Sequence, residues 1–228
     1  IKLPQIEQPV LAVRSHLDRS KKGVHTWTGY VQGDKGATVI LTFKGSRLSG
    51  LIQTGETTYR LSTDQAGKEL MYEVDLDSLP TEEPDGDVPI GDENYTQAYS
   101  EFFSTADSIG VTQDLLVVYT QGACSYAGNC EQLEADIYTA VADMNAAYAS
   151  SGVQIVMNIV GTHLTSYSGT SSSETLIALR STTDGQMDEV HQVRDQLGAD
   201  IVSLVYSGQG CGIGDVGANA STAFNVTQ

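Results

Sequence analysis

Residues 114–120, DLLVVYT, form a continuous apolar run rich in β-branched side chains, and this run limits the possible folds more than any other segment. A strand with this pattern is typically buried on both faces of a sheet. Helical and strand patterns alternate after it, over Cys130–Ser150 (helix), Val153–Val160 (strand), Ser173–Ser181 (helix), Met187–Leu197 (helix) and Asp200–Ser207 (strand). Such alternation requires right-handed crossovers and predicts a largely parallel sheet.

The helix predicted over Cys130–Ser150 carries its own start and stop signals. Asn129 can act as its N-cap, Gln132 occupies the capping-box position, and Gly152 stands just past its end. Apolar residues recur three or four positions apart and form one stripe: Leu133, Ile137, Val141, Met144 and Tyr148. We therefore expect one long helix that buries this stripe.

The N-terminal third has a different pattern, in which short alternating runs are separated by turn-forming residues. We predict antiparallel strands over Val24–Val31, Ala37–Phe43, Arg47–Gln53, Thr58–Leu61 and Glu69–Val74. Residues 79–89 are acidic and contain three prolines, which predicts a linker that is open to proteases. The sequence thus divides into a β-rich module at 1–78, an acidic linker at 79–111 and a third part at 112–228.

Charge is distributed unevenly over these parts. The net charge of -17 argues against nucleic acid and anionic lipid as partners, and no apolar run approaches the ~20 residues that cross a bilayer. Residues 1–63 carry nine Lys/Arg and four Asp/Glu, whereas residues 108–228 carry two and twelve. Contact between a basic and an acidic part is favourable and is screened by salt. We therefore expect the two parts to bind each other, and to bind less tightly at high salt.

The three cysteines bear on the cellular compartment. Cys124 and Cys130 are six residues apart across a Ser-Tyr-Ala-Gly-Asn segment, and a small disulfide loop fits that spacing. Three reduced thiols in a cytosolic protein are the alternative, and with one disulfide Cys211 is left without a partner. The chain begins with Ile1, so we expect any secretory signal to have been removed already, and its absence does not argue against secretion.

The usual catalytic motifs are absent from the sequence. No two of the four histidines are spaced i, i+4, so it contains no helical metal-binding pair, and it contains no GxSxG elbow. We interpret His191 as a surface or capping residue.

Glycines alternate with other residues through 208–214, GQGCGIG, in a spacing that fails the GxGxxG pattern. An extended segment without side chains on one face lets another backbone approach, which favours an edge strand that receives a peptide. A flexible surface loop explains the spacing equally well. Short strands over Ile213–Val216 and Ala223–Val226 would follow. Because the helices cover only about one face of such a sheet, we expect the domain to continue beyond Gln228.

Several segments together resemble the reprolysin-like branch of the metzincin zinc endopeptidases, including bacterial secreted members near the peptidyl-Asp metallopeptidases. They occur in order over residues 112–228: DLLVVYT, MNAAYASSGV, QIVMNIVGT, TTDGQMDEVHQVRDQLGADIVSLVYSGQGCGIGDVG and STAFNVTQ. WTGYVQGD and GSRLSGLIQTGETTYRLS are similar to the β-rich propeptide of such enzymes. The resemblance implies a mixed α+β and α/β chain. A small antiparallel β propeptide module would precede a metzincin-type domain with a mostly parallel twisted sheet and an antiparallel edge strand.

The resemblance also implies an activity. The parent protein would be a secreted, extracellular zymogen of a zinc endopeptidase, with the propeptide bound to the catalytic domain and with zinc-activated water hydrolysing peptide bonds. The HExxHxxGxxH motif is not in this sequence, so the resemblance places the zinc ligands beyond Gln228. We therefore expect no catalytic residue and no metal ligand in this chain, and no activity from it alone. Calcium stays open as a further cofactor.

A substrate shelf and a disulfide follow from the same resemblance. The antiparallel edge strand of such enzymes pairs with an extended protein or peptide substrate, and the corresponding residues here are Gly212, Ile213, Gly214, Asp215 and Val216. Cys211 would pair with a cysteine downstream. The alternative function is a non-catalytic pseudo-enzyme that ends near Gln228 and binds peptides along the same strand.

Overall fold

The strand and helix patterns described above are present in the computed structural model of the chain. It describes residues 1–4, 9–19, 23–55, 57–75, 110–208, 212–215, 218–219 and 221–228. The strands are β1 (Ala12–Arg19), β2 (Val24–Val31), β3 (Asp34–Lys44), β4 (Arg47–Thr54), β5 (Thr57–Thr63), β6 (Glu69–Val74), β7 (Val111–Thr120), β8 (Ile155–Thr165), β9 (Ile201–Val205), β10 (Gly212–Gly214) and β11 (Phe224–Thr227). The helices are α1 (Gln121–Tyr126), α2 (Cys130–Ser150), α3 (Ser172–Arg180) and α4 (Asp188–Leu197).

Internal contacts divide the chain into two units. The first comprises Ile1–Pro80 together with Cys124–Ser150, and the second comprises Thr81–Ala123 together with Ser151–Gln228. Helix α2 therefore belongs to the first unit, although it follows the predicted linker in sequence. Residues 79–109 of that linker lie outside the described residues.

The first unit contains an antiparallel sheet in which β1 to β6 pair in chain order. The five strands predicted from the sequence are confirmed, with ends shifted by up to three residues, and β1 was missed. β1 is an edge strand whose residues are exposed or half-buried, so its sequence lacks a clear alternation. One face of the sheet carries an apolar cluster made of Leu3, Val31, Ala37, Val39, Leu48, Ile52, Tyr59 and Leu61.

Helix α2 begins and ends where the sequence predicts. The Asn129 carboxamide oxygen accepts a hydrogen bond from the backbone N–H of Gln132 at 2.9 Å, as an N-cap does. The predicted capping-box role of Gln132 is wrong, because its side chain is bonded to the sheet instead. In the predicted stripe, Leu133 and Ile137 are buried, while the members nearer the C-terminus are half-buried.

The second unit contains a mixed sheet of five strands in the order β10-β11-β9-β7-β8. The pairs β7–β8, β7–β9 and β9–β11 are parallel, whereas β10 runs antiparallel to β11. The predicted parallel sheet with an antiparallel edge strand is therefore confirmed. Alternate residues of three central strands pack against α3 and α4 on one face: Leu116, Val118, Val202, Leu204, Phe224 and Val226.

The helices of the second unit end through identifiable interactions. Gly198 at the end of α4 has φ +65°, and its N–H donates to the carbonyls of Arg194 and Asp195. His191 lies on the same helix, and its Nε2 is 2.8 Å from the Ser181 carbonyl oxygen, in agreement with the predicted capping role. These contacts fix the segments that join α3, α4 and β9.

Candidate functional site

β10 is an edge strand with one paired side. Gly212, Ile213 and Gly214 face Thr227, Val226 and Asn225 of β11, and no other described strand pairs with β10. Ile213 packs against the core cluster, so its side chain lies on the face of α3 and α4. Successive side chains of a strand alternate between faces, and the two flanking glycines therefore leave the opposite face bare.

Position 212 requires a glycine for two reasons, its backbone conformation and the close approach of β11. Its φ is +136°, and a Cβ built on it would lie 2.5 Å from the Val226 carbonyl oxygen. Gly214 is less constrained, because the nearest atom to its added Cβ is the Asn225 Cβ at 3.0 Å. The close backbone approach at Gly212 is therefore made by β11 of the same chain.

An ion pair follows β10 directly. Nη1 of Arg180, the last residue of α3, lies 2.9 Å from Oδ2 of Asp215. The Arg180 side chain is 37% exposed and that of Asp215 is 26% exposed. Of the predicted shelf residues, the structure therefore places Gly212 to Asp215 along one edge, while Val216 lies outside the described residues.

A groove beside α3 is lined by acidic residues. It has a volume of about 740 Å³ and is formed by the segments before α3 and before α4. Glu174, Asp184 and Glu189 line it, and its described lining includes no lysine or arginine. The negative charge of this groove therefore disfavours the binding of acidic ligands.

The structure joins Cys124 of α1 to Cys130 of α2, as predicted. Their Cα atoms are 4.4 Å apart, and the bridge closes a loop over a sequence separation of six. The disulfide thus fixes the start of α2 against the helix that precedes it. Cys211 lies outside the described residues.

The sheet face opposite the apolar cluster carries both apolar and polar side chains, and Val24, Ile40 and Leu51 are buried on it. Thr26, Thr42 and Ser49 are buried there, each displaced by one position from a residue that packs on the apolar face. The hydroxyl oxygens of Thr26 and Thr42 are 3.2 Å apart, within hydrogen-bond distance. Helix α2 packs on β2, β3 and β4, and it also buries Gln132, Glu134 and Thr139. Helix α2 also buries Leu133 and Ile137, so its contact with the sheet is partly apolar and partly polar.

The Gln132 carboxamide extends the ladder between two strands. Its Oε1 accepts from the Thr63 N–H at 3.3 Å, and its Nε2 donates to the Leu48 carbonyl at 3.1 Å. The β4–β5 register ends at Ser49 and Ser62, so Leu48 and Thr63 are the next facing positions. The Gln132 side chain therefore provides hydrogen bonds for two backbone groups at the end of the β4–β5 pairing.

A buried ion pair joins the same helix to β3. Glu134 pairs with Lys44, and their side chains are 10% and 18% exposed. Salt screens such a pair less than it screens exposed charges. The pair joins the basic N-terminal part to an acidic helix, which is the kind of contact that the charge distribution predicts.

Burial raises the pKa of two further carboxyl groups of α2. Burial raises the pKa of Asp136, while hydrogen bonds from Ser49 and Gln132 and the charge of Arg60 lower it in part. Burial also raises the pKa of Asp143, and Arg60 again opposes the shift. Ionising these groups at neutral pH therefore works against the docked helix.

This burial predicts an acid-strengthened contact. Because the folded pKa of Asp136 lies above 3.8, its ordinary value, its proton contributes stability that is fully present below that pH. The contribution is lost as the pH rises through the raised pKa. We expect Asp136→Asn to raise the urea midpoint of the first unit at neutral pH and to flatten its pH dependence.

Trp27 is the only tryptophan and packs against the apolar cluster, so its fluorescence reports unfolding of this unit. Ser49→Ala is the matched control, because it removes a hydrogen bond that lowers the pKa of Asp136 and should steepen the pH dependence. Equal pH slopes in both variants and the wild type would rule out Asp136 as the source.

The described residues do not supply a zinc site. No group of three or more His, Cys, Asp or Glu in them is arranged to hold a metal ion. His163 lies 3.7 Å from Glu189, and His191 is bonded to a backbone carbonyl. The donor set in this part of the chain therefore does not fit a catalytic metal.

Comparison with known proteins identifies the C-terminal part. Residues 134–228 match the family described as Metallo-peptidase family M12B Reprolysin-like. This part belongs to the reprolysin-like metallopeptidases. The assignment agrees with the segments in which the sequence resembles that family.

Two bacterial relatives extend the match to the N-terminal part. The Peptidyl-Asp metalloendopeptidase of Stenotrophomonas maltophilia strain R551-3 is 31% identical over 97% of this chain and 58% of its own length. The protein of the same name from Xanthomonas campestris pv. campestris is 28% identical over 95% of this chain and 55% of its own. The chain thus spans a little over half the length of these curated relatives.

A solved structure is also similar. Metalloproteinase-II from Bacteroides fragilis has a TM-score of 0.47 and 12% identity, over 96% of this chain and 70% of that chain. In the part of the chain that the structure describes, no helix combines the length and apolar character needed to span a membrane.

Two elements of the candidate site were missed by sequence reasoning. The Arg180–Asp215 pair joins residues far apart in sequence, and the available signal was the scarcity of basic residues after position 107. Nothing in the sequence indicated that Gln132 contacts the sheet, because a glutamine at this position fits a capping box equally well.

Proposed function

We propose that this chain is part of a secreted, zinc-dependent endopeptidase precursor, with residues 1–78 as its propeptide and residues 112–228 as part of its catalytic domain. The observation that carries the proposal is the similarity, over 97% of the chain, to a protein named Peptidyl-Asp metalloendopeptidase. The zinc ligands would come from outside the described residues, and bound zinc would supply the Lewis acid that activates water.

β10 would hold the substrate as an added strand. Its unpaired edge can exchange backbone hydrogen bonds with an extended peptide, which gives binding energy without dependence on side chains. The bare face at Gly212 and Gly214 leaves room for side chains of that peptide. The role of this chain in the reaction would be to orient the peptide.

The N-terminal sheet would act as a propeptide that holds α2. Its apolar cluster lies on the face away from the buried threonines and serine, so the sheet retains a core of its own when the helix leaves. The contact with α2 combines hydrogen bonds and an ion pair with buried apolar residues, among them Ile40, Leu51 and Leu133. Water can replace the hydrogen bonds after separation, whereas the apolar residues favour the docked state.

The test is made on the natural gene product at its full length. We expect one zinc per molecule and chelator-sensitive hydrolysis of casein, and a rise in that hydrolysis after cleavage within residues 79–111. Intact mass before and after cleavage identifies the species that is active.

Two outcomes would contradict the proposal. A zinc-free natural protein that binds peptides without cleaving them would be the pseudo-enzyme. Full activity in the uncleaved molecule would remove the propeptide role while leaving the peptidase.

A further inference from the structure

A positive charge lies at the end of the open edge strand. Arg180 closes α3, which packs against both β10 and β11, and its guanidinium pairs with Asp215 immediately after β10. Both side chains remain partly exposed, and because Asp215 directly follows β10, a peptide that extends past Gly214 along this edge would pass close to the pair.

Of the two arginines that the structure describes in the second unit, Arg180 is the one whose guanidinium is available to a ligand. The other is Arg194. The Nε of Arg194 donates to the Ala199 carbonyl at 3.1 Å and its Nη2 donates to the Asp200 carbonyl at 2.8 Å. Its guanidinium also lies over the Phe224 ring, 4.8 Å from the centroid. Arg194 is thus committed to holding the end of α4.

The surroundings of Arg180 are otherwise acidic. The described part of the second unit, residues 110–123 and 151–228 without the gaps given above, carries eight Asp/Glu, and the groove beside α3 is lined by three of them. An acidic side chain is repelled from most of this surface, and Arg180 is where it can be paired.

We propose that Arg180 selects an acidic side chain of a peptide bound along β10, and that Asp215 occupies Arg180 until that peptide arrives. This inference rests on the proposed function, in which β10 is the substrate strand. The incoming carboxylate displaces the Asp215 carboxylate, so Arg180 keeps an ion pair while the partly exposed Asp215 carboxylate becomes hydrated. The relatives' name, Peptidyl-Asp metalloendopeptidase, fits such a preference.

The experiment uses the natural full-length protein and a set of peptide pairs. The two members of a pair differ only by Asp or Asn at one position, and that position is moved along the peptide. The readout is the ratio of kcat/KM for the Asp peptide to kcat/KM for the Asn peptide, which cancels changes in overall activity. We expect the wild type to prefer Asp at one position.

Arg180→Gln and Asp215→Asn are expected to change the Asp/Asn ratio in opposite directions. Arg180→Gln should lower the Asp/Asn ratio about fivefold, the size of a partly exposed ion pair, and Arg180→Lys should retain most of it. Asp215→Asn should raise the ratio, because the internal competitor is gone. If the pair were only structural, Arg180→Gln and Asp215→Asn would both lower stability and leave the ratio unchanged. Arg194→Gln is the control, with lower stability and a wild-type ratio expected.

The failures of the two proposals are separable. Cleavage by the wild type with the same ratio in Arg180→Gln and Asp215→Asn overturns the selection by Arg180 and leaves the peptidase standing. If the wild type cleaves neither peptide, the proposed function fails. Fluorescence anisotropy with the same labelled peptides then measures whether binding favours Asp and whether Arg180→Gln removes that preference.

Discussion

Lys44→Met is expected to lower the free energy of unfolding of the first unit by about 3 kcal/mol. Lys44 and Glu134 form a largely buried pair, and removing the ammonium group leaves the carboxylate in a site that water reaches poorly. The unfolding midpoint in urea, followed by Trp27 fluorescence, measures the change on the whole chain.

Matched variants test whether the loss of stability comes from the pair of Lys44 and Glu134. Glu134→Leu should also destabilise, because it leaves Lys44 without its carboxylate, while Lys44→Met with Glu134→Leu should recover most of the loss. Lys68→Met removes an exposed lysine from the same unit and should change the free energy by less than about 0.5 kcal/mol. A double variant as unstable as the sum of the single ones would show that the two residues act independently.

Gly212→Ala is expected to disrupt the edge strand. A non-glycine residue at φ +136° is strained, and the added Cβ would lie 2.5 Å from the Val226 carbonyl oxygen, so the β10 backbone has to move. The combined cost is about 3 kcal/mol, enough to open a three-residue strand. Hydrogen exchange measured by mass spectrometry should be faster in residues 212–227, and binding of extended peptides should weaken.

Gly214→Ala is the comparison for this change. It adds the same methyl group two positions along the strand, where the nearest atom is a side-chain carbon at 3.0 Å. We expect a loss of about 1 kcal/mol and a strand that remains paired. Equal exchange in the two variants would mean that the backbone of Gly212 is not the cause.

Local signals in the sequence were enough to predict most of the fold. The Asn129 cap and Gly152 define α2 because both act within one helical turn. The apolar run of β7 predicts a central strand because it is buried between β8 and β9. Edge strands carry weaker patterns, since water faces part of them, and for that reason β1 was missed.

The candidate site was less accessible to sequence reasoning. Glycine spacing indicated an edge strand at β10, and the structure adds that β11 is the backbone that needs Gly212. Pairing of Arg180 with Asp215 depends on how α3 lies against the sheet, which no local pattern encodes. The contacts of Gln132 likewise depend on two strand positions more than sixty residues away in sequence.

The contact between Gln132 and Thr63 also bears on the order of events during folding. The hairpin of β4 and β5 can close from its turn as far as Ser49 and Ser62 with its own backbone groups. Its open end gains the Gln132 bonds only when a helix 69 residues further along the chain has arrived. The last step of this hairpin therefore waits for a long-range encounter, and the Thr63 amide hydrogen records whether that encounter has taken place.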